Sequence, residues 1–139
     1  MSELSHEFAY VYTCYDPMIR DGILEYCDKR FGKGNYFFDS DPGGAKNLVF
    51  ARDTHDIDFV LYKMQLAAKV HPYTVALLIN HSICGAYADA GMIFTVPDLE
   101  TAYQKIQLES ATAFLKDKLL PSVSIEHHYF LKKEQKFAW

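Results

Sequence analysis

No stretch of the 139-residue chain approaches the ~20 apolar residues needed to cross a bilayer. The basic start and apolar core of a signal peptide are also missing, since the segment from Met1 to Glu7 is polar and acidic. A cytoplasmic location is the expectation. Positive charge is nowhere concentrated. No Lys/Arg cluster is longer than Lys132-Lys133 and the formal net charge is -4, so there is no electrostatic case for nucleic acid. Cysteine is scarce and odd in number. Cys14, Cys27 and Cys84 suggest no disulfide framework, and in a reducing compartment such thiols are metal ligands or buried apolar residues. No internal repeat, low-complexity tract or linker interrupts the chain, and residues 1–139 are expected to form a single domain with a proper core.

Large residues, by contrast, are plentiful. Ten Tyr and ten Phe point to a core of bulky side chains or to a buried subunit contact. The apolar run 8–14 reads as a buried strand. Asp16-Pro17 is a helix start, an Asp cap with Pro at the first helical position. Ile19, Ile23, Leu24, Cys27 and Phe31 follow at helical spacing, and Gly32 and Gly34 stop the helix. Residues 35–38 make a short strand that runs into a turn-forming loop, Asp39 to Gly44.

Asp53 or Thr54 caps a second helix, with Ile57, Val60, Leu61, Met64, Ala67 and Ala68 on its face and His71-Pro72 at its end. The almost wholly apolar run 74–80 suits the centre of a parallel sheet. A loop through Gly91 leads to Pro97-Asp98 and a third helix, whose face is Leu99, Tyr103, Ile106, Ala113 and Phe114. A strand over 122–131 closes the chain. Alternation of this kind predicts an α/β fold, a mostly parallel sheet of four or five strands flanked by helices.

Two of these strands end in soft ligands. Cys14 closes the first, and His81 with Cys84 follows the central one. If the two strands lie parallel and adjacent, the three side chains converge at their carboxyl ends. That would be three-quarters of a tetrahedral zinc site, with one position left for water. Thiolate and imidazole favour zinc over magnesium or calcium. No fourth Cys or His stands near either motif, and His6, His55, His71, His127 and His128 are distant in sequence. The plainer alternative is a buried thiol and a histidine bonded to backbone. Cys27, on the apolar face of the first helix, is expected to be core.

The segments Cys14-Tyr15-Asp16-Pro17-Met18 and His81-Ser82-Ile83-Cys84-Gly85 resemble the zinc motifs of the β-class carbonic anhydrases. Those proteins carry Cys-x-Asp-x-Arg after a first strand and His-x-x-Cys-Gly after a later one. The resemblance spans about Phe8 to Phe130. It implies zinc held by Cys14, His81 and Cys84, and reversible hydration of carbon dioxide to bicarbonate by a zinc-bound hydroxide that Asp16 orients. It also implies a homodimer.

Two departures stand out. Met18 occupies the place of the family's Arg, and Arg20, two positions on, is the candidate partner for Asp16. The long amino-terminal arm of the family is missing. Asp16 therefore has three readings: helix cap, orienting carboxylate, or fourth zinc ligand. Alternatives for the whole chain are a zinc protein without hydratase turnover, or a hydrolase of carbonyl sulfide or carbon disulfide.

The remaining motifs carry less. Asp39 to Lys46 lacks the phosphate-loop pattern and is expected to be a turn. His127 and His128 should point to opposite faces of their strand. Tyr87 and Asp89 are expected near the pocket mouth, and Lys132, Lys133, Glu134 and Lys136 at a solvated end.

Overall fold

The computed structural model describes residues 7–139. Five strands form one sheet: β1 (Ala9–Cys14), β2 (Tyr36–Asp41), β3 (Val75–His81), β4 (Ser124–Leu131) and β5 (Lys136–Phe137), in the order β2-β1-β3-β4-β5. The first four are parallel, and β5 folds back antiparallel on β4. The expected mostly parallel α/β fold is what the chain adopts. Every residue of β1 and β3 is buried. Strands covered on both faces read as continuous apolar runs, and these two were recognisable for that reason.

Helix α1 (Pro17–Phe31) covers one face of the sheet with Ile19, Ile23, Cys27 and Phe31. Asp16 caps it by accepting the Met18 N–H, and Gly32 ends it at φ 88°. The other face is covered by α3 (Thr54–Val70) through Val60, Met64 and Ala67, and by α5 (Pro97–Lys116). Asp53 is the cap of α3, accepting from the His55 and Asp56 amides. Cys27 is core, as its place in the apolar spacing predicts. Two short helices, α2 (Lys46–Val49) and α4 (Gly85–Asp89), lie where only loops were expected.

Three expectations need correction. Asp39, Ser40 and Asp41 belong to β2, which pairs with β1 as far as Cys14 opposite Asp41. Two carboxylates are tolerated on this strand because Lys63 donates to both, to Asp39 Oδ1 at 3.0 Å and Asp41 Oδ2 at 2.6 Å. Tyr10 and Tyr12 donate to the same pair. The buried face of α5 is Gln104, Leu108, Ala111 and Leu115, whereas Leu99 and Ile106 are about 60% exposed. A glutamine sets that phase because Asn80 Nδ2, on β3, donates to its Oε1 at 2.7 Å. Finally, β4 continues into a hairpin. Its turn places Lys132 against the sheet end instead of in solvent, and Trp139 stacks on Tyr129.

Arg30, near the end of α1, clasps Glu126 of β4 with two hydrogen bonds of 2.8 and 2.7 Å. That guanidinium, outweighing partial burial and helped by His128, lowers the Glu126 pKa from 4.5 to about 2. A carboxylate depressed on folding contributes stability above its unfolded pKa and loses it as pH falls through the folded one. Chemical denaturation across a pH series should show the stability advantage of wild type over Glu126→Gln shrinking as pH drops from 4.5 toward 2. An advantage independent of pH in that window would contradict the assignment.

Candidate metal centre

In a doubly wound sheet, side chains converge where successive crossovers leave adjacent strands on opposite faces. Here that point lies between β1 and β3. The chain leaves β1 through α1 on one face, and leaves β3 toward α5 on the other. Cys14 is the last residue of β1 and His81 the last of β3, with the strands in register at Thr13 and Ile79. Cys84 ends the turn that follows β3. The ligand atoms of Cys14, His81 and Cys84 lie within 4.8 Å of one another, all three buried, and form a group that could hold a metal ion.

The spacing suits zinc. At about 2.3 Å from a tetrahedral ion, two sulfurs stand roughly 3.8 Å apart. Cys14 Sγ and Cys84 Sγ are separated by 3.9 Å. The His81 ring supplies the second test. Its Nδ1 lies 2.7 Å from the Ser82 carbonyl, which fixes the proton there, while Nε2 is buried without a hydrogen-bond partner. An unpartnered buried nitrogen is costly unless something takes its lone pair, and metal-ligating histidines show this division between their two nitrogens.

The thiols are already polarised. The Cys84 thiol, hydrogen-bonded to Cys14 Sγ, holds the Cys14 pKa below the ordinary thiol value against the opposing effect of burial, and the nearby His81 ring adds to it. The Gly43 N–H also donates to Cys14 Sγ at 3.3 Å. The same pairing pushes Cys84 upward, as expected for two thiols sharing one negative charge.

The backbone around the sulfurs is tightly specified. Gly44 has φ +53°, and a Cβ there would meet the Thr13 carbonyl carbon at 2.9 Å and the Cys14 nitrogen at 3.0 Å. Ile83, between His81 and Cys84, has φ 56°, an uncommon conformation for a β-branched residue. Its N–H donates to Glu100 Oε2 at 2.8 Å.

Asp16 stands beside the group but not in it. Its Oδ2 is 3.9 Å from His81 Nε2, and the carboxylate is engaged elsewhere. Oδ1 accepts the Met18 N–H and Oδ2 accepts the Lys132 ammonium at 2.6 Å. Partial burial raises the Asp16 pKa, but these two donors together with His81 outweigh it, and the net shift is downward. Arg20 does not approach Asp16; its guanidinium lies 5.5 Å from the Phe38 ring centroid. The cation at Asp16 is Lys132, which sequence reasoning assigned to solvent. With the partners 116 positions apart, no local pattern joins them.

Among the other histidines, His55 is exposed, His71 stacks on Phe8, and His127 and His128 lie on β4. His6 lies outside the described residues. Tyr87 is buried behind the centre, donating to Gln107, while Asp89 lines a cleft of about 870 Å³. Cys14, Asp16, Gly85 and Ala86 also border that cleft.

No protein-family model matches the sequence, and no curated protein matches it. Solved structures do. A carbonic anhydrase from Glaciozyma antarctica superposes with a TM-score of 0.59 at 12% identity, over 98% of this chain and 83% of that one. A carbonic anhydrase from Streptococcus mutans gives 0.59 and 12%, over 99% and 85%. The chain has a carbonic-anhydrase-like fold. Among the described residues, no helix is long and apolar enough to cross a membrane.

Gly44→Ala should crowd the Thr13–Cys14 backbone in a left-handed conformation, costing about 1–3 kcal/mol of stability. Thermal denaturation with and without added zinc would measure the loss. Wild-type behaviour in both would show that this close approach is not needed.

Proposed function

We propose that the chain is a single-domain, cytoplasmic zinc lyase that interconverts carbon dioxide and bicarbonate. The observation that carries this reading is the buried, unpartnered His81 Nε2 facing two cysteine sulfurs at the spacing a tetrahedral ion requires. Among the described residues no fourth Cys, His, Asp or Glu joins the group. Three protein donors are the usual complement of a catalytic zinc, whereas structural sites close with four.

A bound zinc ion supplies Lewis acidity, bringing the pKa of a water molecule down to roughly 7. The protein's own groups do the rest. Ser82 fixes the His81 tautomer through its carbonyl, and the Gly43 N–H shares the charge on Cys14. Asp16 borders the cleft, its side chain 15% exposed and its carboxylate held at both oxygens. It can accept the proton-bearing side of an attacking hydroxyl and aim a lone pair at carbon. Val60, Phe59 and Ala86 give the cleft an apolar wall on which a nonpolar gas can rest. A second copy of the chain would cover Tyr15 and Met18, both more than 60% exposed beside the centre.

Metal analysis should find one zinc per chain, and zinc-loaded protein should accelerate carbon dioxide hydration in a stopped-flow assay. Cys84→Ala should return the rate to that of buffer and weaken zinc binding by at least about a hundredfold, more than loss of an outer-shell group costs. Chelation should lower Tm, because an ion bound only by the folded state stabilises it. Stoichiometric zinc without rate acceleration would redirect the assignment toward carbonyl sulfide hydrolysis or a non-catalytic zinc protein. Failure to bind zinc would end it.

A further inference from the structure

The Asp16 carboxylate poses a problem that the three ligands leave open. On a tetrahedral zinc, nitrogen and oxygen ligands at about 2.0–2.2 Å stand roughly 3.3 Å apart. Asp16 Oδ2 is 3.9 Å from the ligating nitrogen of His81, so it stops about half an ångström short of ligand spacing. An anionic oxygen this close to a dication would be drawn in unless another positive group held it. Met18, at the position where the β-class motif carries Arg, offers only its backbone N–H, and its side chain is 64% exposed. Arg20 lies over Phe38. The Lys132 ammonium, 2.6 Å from Oδ2, is the positive side chain that reaches it.

We propose that Lys132 is a positioning residue that holds the Asp16 carboxylate off the metal, and so keeps the fourth coordination position open to solvent. The inference rests on the metal-centre reading above.

The hairpin that carries Lys132 is anchored for the task. The Lys132 N–H donates to Ser82 Oγ at 2.8 Å, and the Ser82 N–H donates to the Phe130 carbonyl at 3.0 Å. The β4–β5 turn is thereby bonded to the residue between His81 and Ile83. On its other side Gln135 Nε2 donates to the Met18 and Lys132 carbonyls at 2.9 and 2.7 Å, tying the turn to the first turn of α1. The ammonium therefore hangs from a backbone fixed both to the metal-ligand loop and to the segment bearing Asp16. Its side chain is 21% exposed and that of Asp16 15%, so solvent screens the pair only in part.

Cobalt(II) put in place of zinc in the full chain makes the coordination number visible in the absorption spectrum, and azide tests for an open position. Wild type and Lys132→Arg should show azide-dependent spectra at similar concentrations. Lys132→Met, which keeps the apolar stem and removes the charge, should need about tenfold more azide, because Asp16 then occupies the position for about nine-tenths of the molecules. Asp16→Asn added to Lys132→Met should bring the azide response back. A merely structural lysine would not produce that rescue. Lys132→Gln, with a neutral donor, serves if Lys132→Met does not fold, and should fall between wild type and Lys132→Met.

The proposal is overturned if a folded Lys132→Met or Lys132→Gln responds to azide as wild type does, or if wild type binds cobalt but ignores azide. Wild type that takes up no cobalt or zinc overturns the metal reading itself. The two failures are therefore distinct.

Discussion

Parallel pairing of β1 with β3, buried on both faces, is the constraint from which the rest of the structure follows. Four parallel strands bring their carboxyl ends to one edge of the sheet, and the reversal in crossover direction opens a crevice between the middle two. A cysteine ending one strand and a histidine ending the next must then meet. A slip of one residue in either strand would turn the ligand to the opposite face. The apolar side chains that make β1 and β3 uninterrupted runs therefore fix more than stability. They set the register that brings the Cys14 and His81 strand ends level with each other at one end of the sheet.

Much of this was legible because it is local. Strand runs buried on both faces, the Asp16-Pro17 cap, the helical spacing of α1 and α3, and the two ligand motifs each occupy a few consecutive turns or residues. What escaped has a common physical cause. Gln104 lies on the buried face of α5, where a distant Asn80 donates to its Oε1, so hydropathy alone mistook the helix phase and promoted the exposed Leu99 and Ile106. Asp39 and Asp41 lie in a strand because Lys63 and two tyrosines neutralise and bond them. Lys132 leaves the solvent because Asp16 receives it. In each case a polar residue occupies an apparently unsuitable place, and its partner is 22 or more residues away.

The turn between His81 and Cys84 shows what their convergence asks of the backbone. Ile83 adopts φ 56°, where glycine or asparagine would rest more easily. Conformations of this kind cost about 1–3 kcal/mol and persist only where the surroundings over-determine them. Here they do. The Ile83 N–H is held by Glu100 from α5, and Ser82 is bonded to the β4–β5 hairpin on the opposite side. The turn is pinned by α5 and by the sheet's own β4–β5 hairpin, and it carries Cys84 back within reach of His81.

At 12% identity the likeness to solved structures is one of fold, and the case for a metal centre rests on this chain's own residues. The candidate donors are two sulfurs and a nitrogen, and the strand ends and the turn after β3 bring them together. A charge beside Asp16 has no such tie to one chain position. Any backbone that brings an ammonium within hydrogen-bond range of Asp16 Oδ2 does the same electrostatic work, and a hairpin bonded to the ligand turn is as rigid a carrier as the first turn of a helix. Selection on the cation is then selection on its place in space. The candidate metal ligands lie in short, readable motifs, while the ammonium that balances Asp16 comes from the far end of the chain.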